Sequence, residues 1–153
     1  MDTTLVLAWH DTVESLDAAL AGASARPRHT LVSARLPLLA DLTVAENIAL
    51  PRAYHLNVNA PMARLQAREF AARLLPPPRA NSYPDELSPA ETFAALWLRA
   101  VSLPGQIIVL ESPLSSFDLT ETALKDYAAR CHGLFVNAIA HECRAHTAWS
   151  SAT

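Results

Sequence analysis

Apolar positions change their period several times along the chain, and each change marks an element. Thr4-Leu5-Val6-Leu7-Ala8-Trp9 is a short continuous apolar run and reads as a buried strand. His10 and Asp11 close it, and Asp11 or Thr12 can cap a helix marked by Val13, Leu16, Ala19 and Leu20 at helical spacing. Gly22 stops that helix, residues 23–29 form a loop, and Thr30 to Ala34 is a second short strand. The Pro-containing stretch from Leu36 to Asp41 is irregular. Thr43-Val44-Ala45-Glu46 has capping-box spacing and opens a short helix that Pro51 ends or kinks. Pro61 suits a first helical position; Met62, Leu65, Phe70 and Leu74 then form an apolar side, with Arg64, Arg68 and Arg73 at polar positions. Pro76-Pro77-Pro78 stops this helix, and the chain to Asp85 is a linker.

Ser88-Pro89-Ala90-Glu91 is the clearest helix start, with a Ser cap, Pro at the first helical position and Glu at the third. Phe93, Leu96, Trp97, Ala100 and Val101 mark its buried stripe, and Pro104-Gly105 closes it. Ile107 to Leu110 is a buried strand. Asp118-Leu119-Thr120-Glu121 reads as a further capping box, with Asp118 as the cap of a helix through Leu124, Ala128 and Cys131. Leu134 to Ala140 is the last strand, and the polar tail of residues 143–153 is expected to fray. Strands alternating with helices predict an α/β fold with a mainly parallel sheet.

Composition narrows the classes. Hydrophobic residues make up 51% of the chain and charged residues 18%. Soluble domains average about 25% charged, so the chain is under-charged and a partner surface is expected. A net charge of −3 argues against a basic nucleic-acid binder. No apolar run is long enough to span a bilayer, and the N-terminus lacks the basic region of a signal peptide, so the expected location is cytoplasmic, with a peripheral place at the inner membrane open. Cys131 and Cys143 make no disulfide framework. The three glycines, Gly22, Gly105 and Gly133, have neither the spacing of a phosphate-cradling P-loop nor that of a dinucleotide loop, and none is followed directly by the one lysine, Lys125.

The order of the remaining signals resembles the ATPase domain of ABC transporters. Leu39-Ala-Asp-Leu-Thr43-Val44-Ala-Glu-Asn47-Ile48 resembles the segment after the Q-loop, and Pro84-Asp-Glu-Leu87-Ser88-Pro89-Ala90-Glu91 the approach to the LSGGQ signature. Leu98-Arg99-Ala100-Val101 follows where the family has an Ala-Arg-Ala run. Ile107 to Pro113 resembles Walker B, Ser115-Ser116-Phe117-Asp118 the D-loop, and Ala138-Ile-Ala-His141-Glu142 the switch-histidine strand end. The spacing from Ser88 to Arg99 is most similar to the ATPase subunit of Mla/MCE-type lipid transporters. The resemblance implies a P-loop-NTPase-like sheet, a single domain over residues 1–153 and a helical subdomain at about 43–103, without the P-loop region.

The departures define the functional expectation. Ala34 stands at the Q-loop position, so the family's sensing amide is missing. Glu111 aligns with the Walker B aspartate and Ser112 with the catalytic glutamate. A serine hydroxyl is no base toward water without an activating partner. In the family the signature helix offers bare N–H groups to the γ-phosphate of a partner subunit's ATP. Here Pro89 removes one donor, and Glu91 places a carboxylate at the positive helix end. The expected reading is therefore a pseudo-ATPase with no cofactor and no nucleotide contact at Leu87 to Glu91 or Asp118. His141 is then a relic or a hydrogen-bonded edge residue, and Glu111 a solvated or paired carboxylate. Cys131, His132, His141, Cys143 and His146 match no standard zinc spacing, so no metal is expected. Arg64 and Arg68 lie in the region that docks on the membrane subunit in the resembled family. Expected partners are a transporter membrane subunit, an intact ABC ATPase or a second copy. The alternatives are a weak ATPase with an atypical phosphate site and a small metal-binding protein using the C-terminal His and Cys.

Overall fold

The computed structural model describes residues 4–144. In chain order the elements are β1 (Thr4–His10), α1 (Val13–Ser24), β2 (His29–Val32), α2 (Val44–His55), α3 (Ala60–Ala71), α4 (Pro89–Val101), β3 (Ile107–Glu111), α5 (Pro113–Phe117), α6 (Glu121–Arg130) and β4 (Asn137–Cys143). Two 3-10 turns, Pro77–Asn81 and Pro84–Glu86, lie between α3 and α4. The four strands form one parallel sheet in the order β1-β4-β3-β2. Parallel crossovers are right-handed. The connection from β1 to β2 therefore runs over one face, and the two connections that step back through β3 to β4 run over the other.

Each face has its own core. On the first, Leu16 and Leu20 of α1 cover Val109 and Cys143. On the second, Ile108, Leu110, Ala138 and Ala140 of the sheet join Phe93, Trp97 and Leu98 of α4. Trp97 is core, as its place in the stripe predicts, and meets Phe135 edge-on at 5.0 Å. Arg99 leaves α4 to donate to the carbonyls of Leu36 and Pro37 at 2.8 and 3.1 Å, which ties the loop after β2 to this helix.

Between β2 and β3 the described chain forms only helices and turns. Thr43 and Glu46 make the expected capping box. Asn47 is fully buried: its Nδ2 donates to the carbonyls of Leu39, Leu42 and Thr43, and its Oδ1 accepts from the Leu39 N–H. That one side chain adds to the backbone bond from the Leu42 N–H to the Leu39 carbonyl within the irregular 39–43 stretch.

Several expectations are corrected. Of the two outcomes expected at Pro51, an end or a kink, the end is excluded, because α2 continues to His55. The buried side of α3 is Ala63, Ala67 and Ala71, while Met62 and Leu65 are exposed, because small residues let α3 lie close against α2. Asp118 does not cap α6. Thr120 does, its hydroxyl accepting from the Ala123 N–H, and Asp118 instead ends α5 in the left-handed conformation with φ 54°. The last strand starts at Asn137 rather than Leu134, because residues 131–136 form a turn that buries Phe135 against Trp97. Cys143 is a buried strand residue and not part of a tail; residues 145–153, with His146, lie outside the described residues.

Candidate functional site

In an open parallel sheet, ligands bind at the carboxyl ends of strands whose connections leave on opposite faces. Here that crevice lies where β1, β4 and β3 end. His10, Glu111, His141 and Glu142 gather at this edge, and each makes a side-chain hydrogen bond.

Glu111 ends β3. One carboxylate oxygen, Oε2, accepts from Arg35 Nη2 at 2.7 Å, Arg35 Nε at 3.1 Å and Ser33 Oγ at 2.9 Å. A divalent cation approaching that oxygen meets a guanidinium. Ala34 sits in the exposed turn between Ser33 and Arg35 and brings only a methyl group. Ser112 follows Glu111 in the left-handed conformation at φ 47°, nearly buried, with its N–H donated to the His141 carbonyl at 2.8 Å. Its hydroxyl does not cap α5. The capping group comes from β4: the fully buried Glu142 carboxylate accepts from the N–H groups of Leu114 and Ser115 and from Ser115 Oγ. The Glu142 carboxylate is thus committed to the start of α5.

His141 is the register neighbour of Glu111 on β4. Its Nδ1 lies 2.9 Å from His10 Nε2 at the end of β1, and His10 Nδ1 lies 2.8 Å from Ser15 Oγ in α1. Burial lowers the His141 pKa, and the nearby His10 lowers it further. The imidazole is therefore held neutral, as a member of a Ser15–His10–His141 hydrogen-bonded chain across β1 and β4.

The start of α4 is closed in the same manner. Ser88 Oγ accepts from the Glu91 N–H at 3.2 Å, and Glu91 Oε1 accepts from the Ser88 N–H at 3.0 Å. Arg79 Nε donates to the other Glu91 oxygen at 2.9 Å. The Ser88 backbone bond is the largest influence lowering the Glu91 pKa, with Arg79 adding to it, so the carboxylate stays charged. Pro89 is at the first helical position, and Leu87 and Ala90 pack against the core.

No protein-family profile matches the chain, and no curated protein does. Solved structures do. The dimeric structure of MJ0796, a bacterial ABC transporter cassette, superposes with a TM-score of 0.61 at 16% identity, over 92% of this chain and 74% of that one. The dimeric structure of a post-hydrolysis state of the ATP-binding cassette MJ0796, bound to ADP and Pi, gives 0.62 with the same identity and coverage. The chain has an ABC-ATPase-like fold. The likeness is one of fold, and the residues of the cassette-like sheet edge must be read by their own contacts.

Those contacts bring Glu111, Ser112 and His141 of the sequence reading to one edge and leave Asp118 exposed at the far end of α5. Cys131 and Cys143 lie in the two different cores, and no three His, Cys, Asp or Glu side chains converge among the described residues. Arg64 and Arg68 do meet: both line a cleft of about 580 Å³ with Thr43, Glu46, Leu65 and Asn81. The sequence reading missed Arg35, Arg79, His10 and Glu142. For Glu142 a signal existed, because strand alternation puts it on the same face as the buried Ala138 and Ala140. No helix among the described residues is long and apolar enough to cross a membrane.

Proposed function

We propose that this chain is a non-catalytic, ABC-ATPase-like accessory or regulatory protein that docks on a transporter component. The carrying observation is the start of α4. A phosphate placed there would meet Glu91, already fixed by Ser88 and Arg79, instead of bare N–H groups. Glu111, bonded to Arg35, and Ser112, without a free base, support the same reading at the end of β3. Phosphoryl transfer relies on positioning and charge stabilisation, and neither is on offer at these edges. Association with a lipid transport system rests on the resemblance between Ser88 and Arg99, and the docking region on Arg64 and Arg68.

Titration with Mg·ATP and a turnover assay test this directly. The expected result is no saturable binding and no hydrolysis above buffer, and Ser112→Glu creates none. Mg²⁺-dependent turnover in either protein overturns the reading. Light scattering with and without Mg·ATP is expected to give one and the same mass.

A further inference from the structure

The groove with Arg64 and Arg68 runs along one side of α3 and belongs to the docking reading. A separate cavity of about 290 Å³ lies on another side. Gln66, Glu69 and Phe70 of α3 and Arg73, just beyond its end, follow at helical spacing and line it. Arg52 of α2 and Leu134 of the turn after α6 complete the lining.

The charges in this cavity are only partly used. Arg52 lies over the Phe70 ring, its Cζ 4.8 Å from the centroid, and its Nη1 donates to Gln66 Oε1 at 3.2 Å. Its Nε is buried and has no partner. A buried donor without an acceptor is costly, and folded chains seldom leave one. Arg73 Nη1 donates to the Arg130 carbonyl at 3.4 Å. Glu69 precedes Arg73 by four positions, the order that favours an ion pair on a helix. Yet no ion pair among the described residues includes Arg52, Glu69 or Arg73. The cavity thus presents two guanidinium groups and one carboxylate, none paired with another charge, beside the apolar Phe70 and Leu134.

We propose that this cavity binds a free α-amino acid with a small apolar side chain. An anion alone satisfies the guanidinium groups but faces the Glu69 carboxylate, and a cation alone faces two guanidinium groups. An α-amino acid carries both charges on neighbouring atoms. Arg52 and Arg73 take its carboxylate, which the planar guanidinium fork suits, and Glu69 takes its ammonium. Its side chain lies against Phe70 and Leu134. Size points the same way. Pockets for drug-sized ligands span about 300–1,000 Å³, so about 290 Å³ suits leucine rather than a nucleotide. The inference uses neither the start of α4 nor Arg64 and Arg68, so it stands apart from the docking reading.

Isothermal titration and backbone NMR of the full chain test it with L-leucine and L-valine. The controls are N-acetyl-L-leucine, which lacks the ammonium, L-leucinamide, which lacks the carboxylate, and inorganic phosphate. Leucine is expected to bind saturably, with shifts centred on Arg52, residues 66–73 and Leu134, and each control to bind at least about tenfold more weakly. Glu69 and Arg73 are exposed, so Glu69→Gln and Arg73→Gln should keep the parent melting temperature. Each should weaken leucine binding at least about tenfold, and Glu69→Gln should also abolish the preference for leucine over its N-acetyl form. Arg52→Lys, which keeps the charge and loses the buried Nε, should weaken leucine binding as well. No saturable binding of either amino acid up to about 10 mM overturns the proposal. So do a control that binds as well as leucine, shifts centred elsewhere in the chain, and a folded Glu69→Gln or Arg73→Gln variant that binds leucine as the parent does.

Discussion

The carboxyl edge of the sheet and the α3 groove are both lined with charge, yet they are opposites. At the sheet edge Glu111 has Arg35 and Ser33, Glu142 has the start of α5, and His141 has His10. At the start of α4 Glu91 has Ser88 and Arg79. In the groove Arg64 and Arg68 have no ion-pair partner among the described residues. A ligand gains little from a group whose hydrogen bonds are already made, since it must replace those bonds before adding any. By this measure the sheet edge holds the structure together, and the free bonding capacity lies on the helices.

If that contrast is right, edge substitutions cost stability and groove substitutions do not. The largest effect is expected for Glu142→Ala. It leaves buried donors of α5 unmatched, and hydrogen bonds to charged groups are worth about 1.5–3 kcal/mol each, so a loss of about 2–4 kcal/mol should appear in a denaturant melt. Glu142→Gln, which keeps an acceptor, should lose less. Ser88→Ala should cost about 0.5–2 kcal/mol, and Glu91→Gln less, because its amide oxygen can still accept from the Ser88 N–H.

Acid should act on the same groups. Glu46 and Glu91 are both held below the usual carboxylate value of 4.5, chiefly by the backbone N–H groups of Thr43 and Ser88. The unfolded chain takes up their protons first, so this stabilisation is complete above pH 4.5 and is lost as pH falls through the lower folded values. His141 has a folded pKa below 6.5 and likewise favours the fold above that pH, losing its contribution on acidification. Melting curves of His141→Gln should therefore fall less steeply between pH 7 and 5 than those of the parent. The smallest effect is expected in the groove, where Arg64→Glu/Arg68→Glu should leave the melting temperature unchanged.

Much of the fold was legible because continuous apolar runs mark strands, although β1, expected to be buried, is an edge strand with Val6 and Trp9 exposed. Leu5 to Trp9 and Ile107 to Leu110 lie where their apolar runs put them, and the caps at Thr43 and Ser88 are used as their spacing requires. The misreadings other than Asp118 share one cause. A local signal lost to a long-range contact that no window of sequence contains. Asp118 has good capping chemistry, but α5 needed a left-handed finish and Thr120 stood two residues on. Leu134 and Phe135 look more like strand than His141 and Glu142, yet Phe135 was wanted by Trp97 and Glu142 by α5. Met62 and Leu65 look like core, but α2 lies close enough for alanines alone. At the candidate site Ser112 and Glu91 could be read as departures from a motif. Glu142, which caps α5 from thirty residues beyond Ser112, and Arg79, which binds Glu91 from a proline-led turn, could not.

The position of β1 has a consequence in time. It pairs only with β4 among the described residues, and none of Leu5 to His10 is buried. In a parallel strand, alternate residues direct their N–H and C=O groups to opposite sides. In heavy water one half of the β1 amides should exchange at once. The other half should wait only for β1 to lift from β4, an opening that leaves β3, α4 and the larger core in place. The β3 amides, flanked by strands on both sides, should exchange only when the whole fold opens. The histidine chain from Ser15 to His141 is anchored on that first strand, so it would break and re-form many times within the life of one folded molecule.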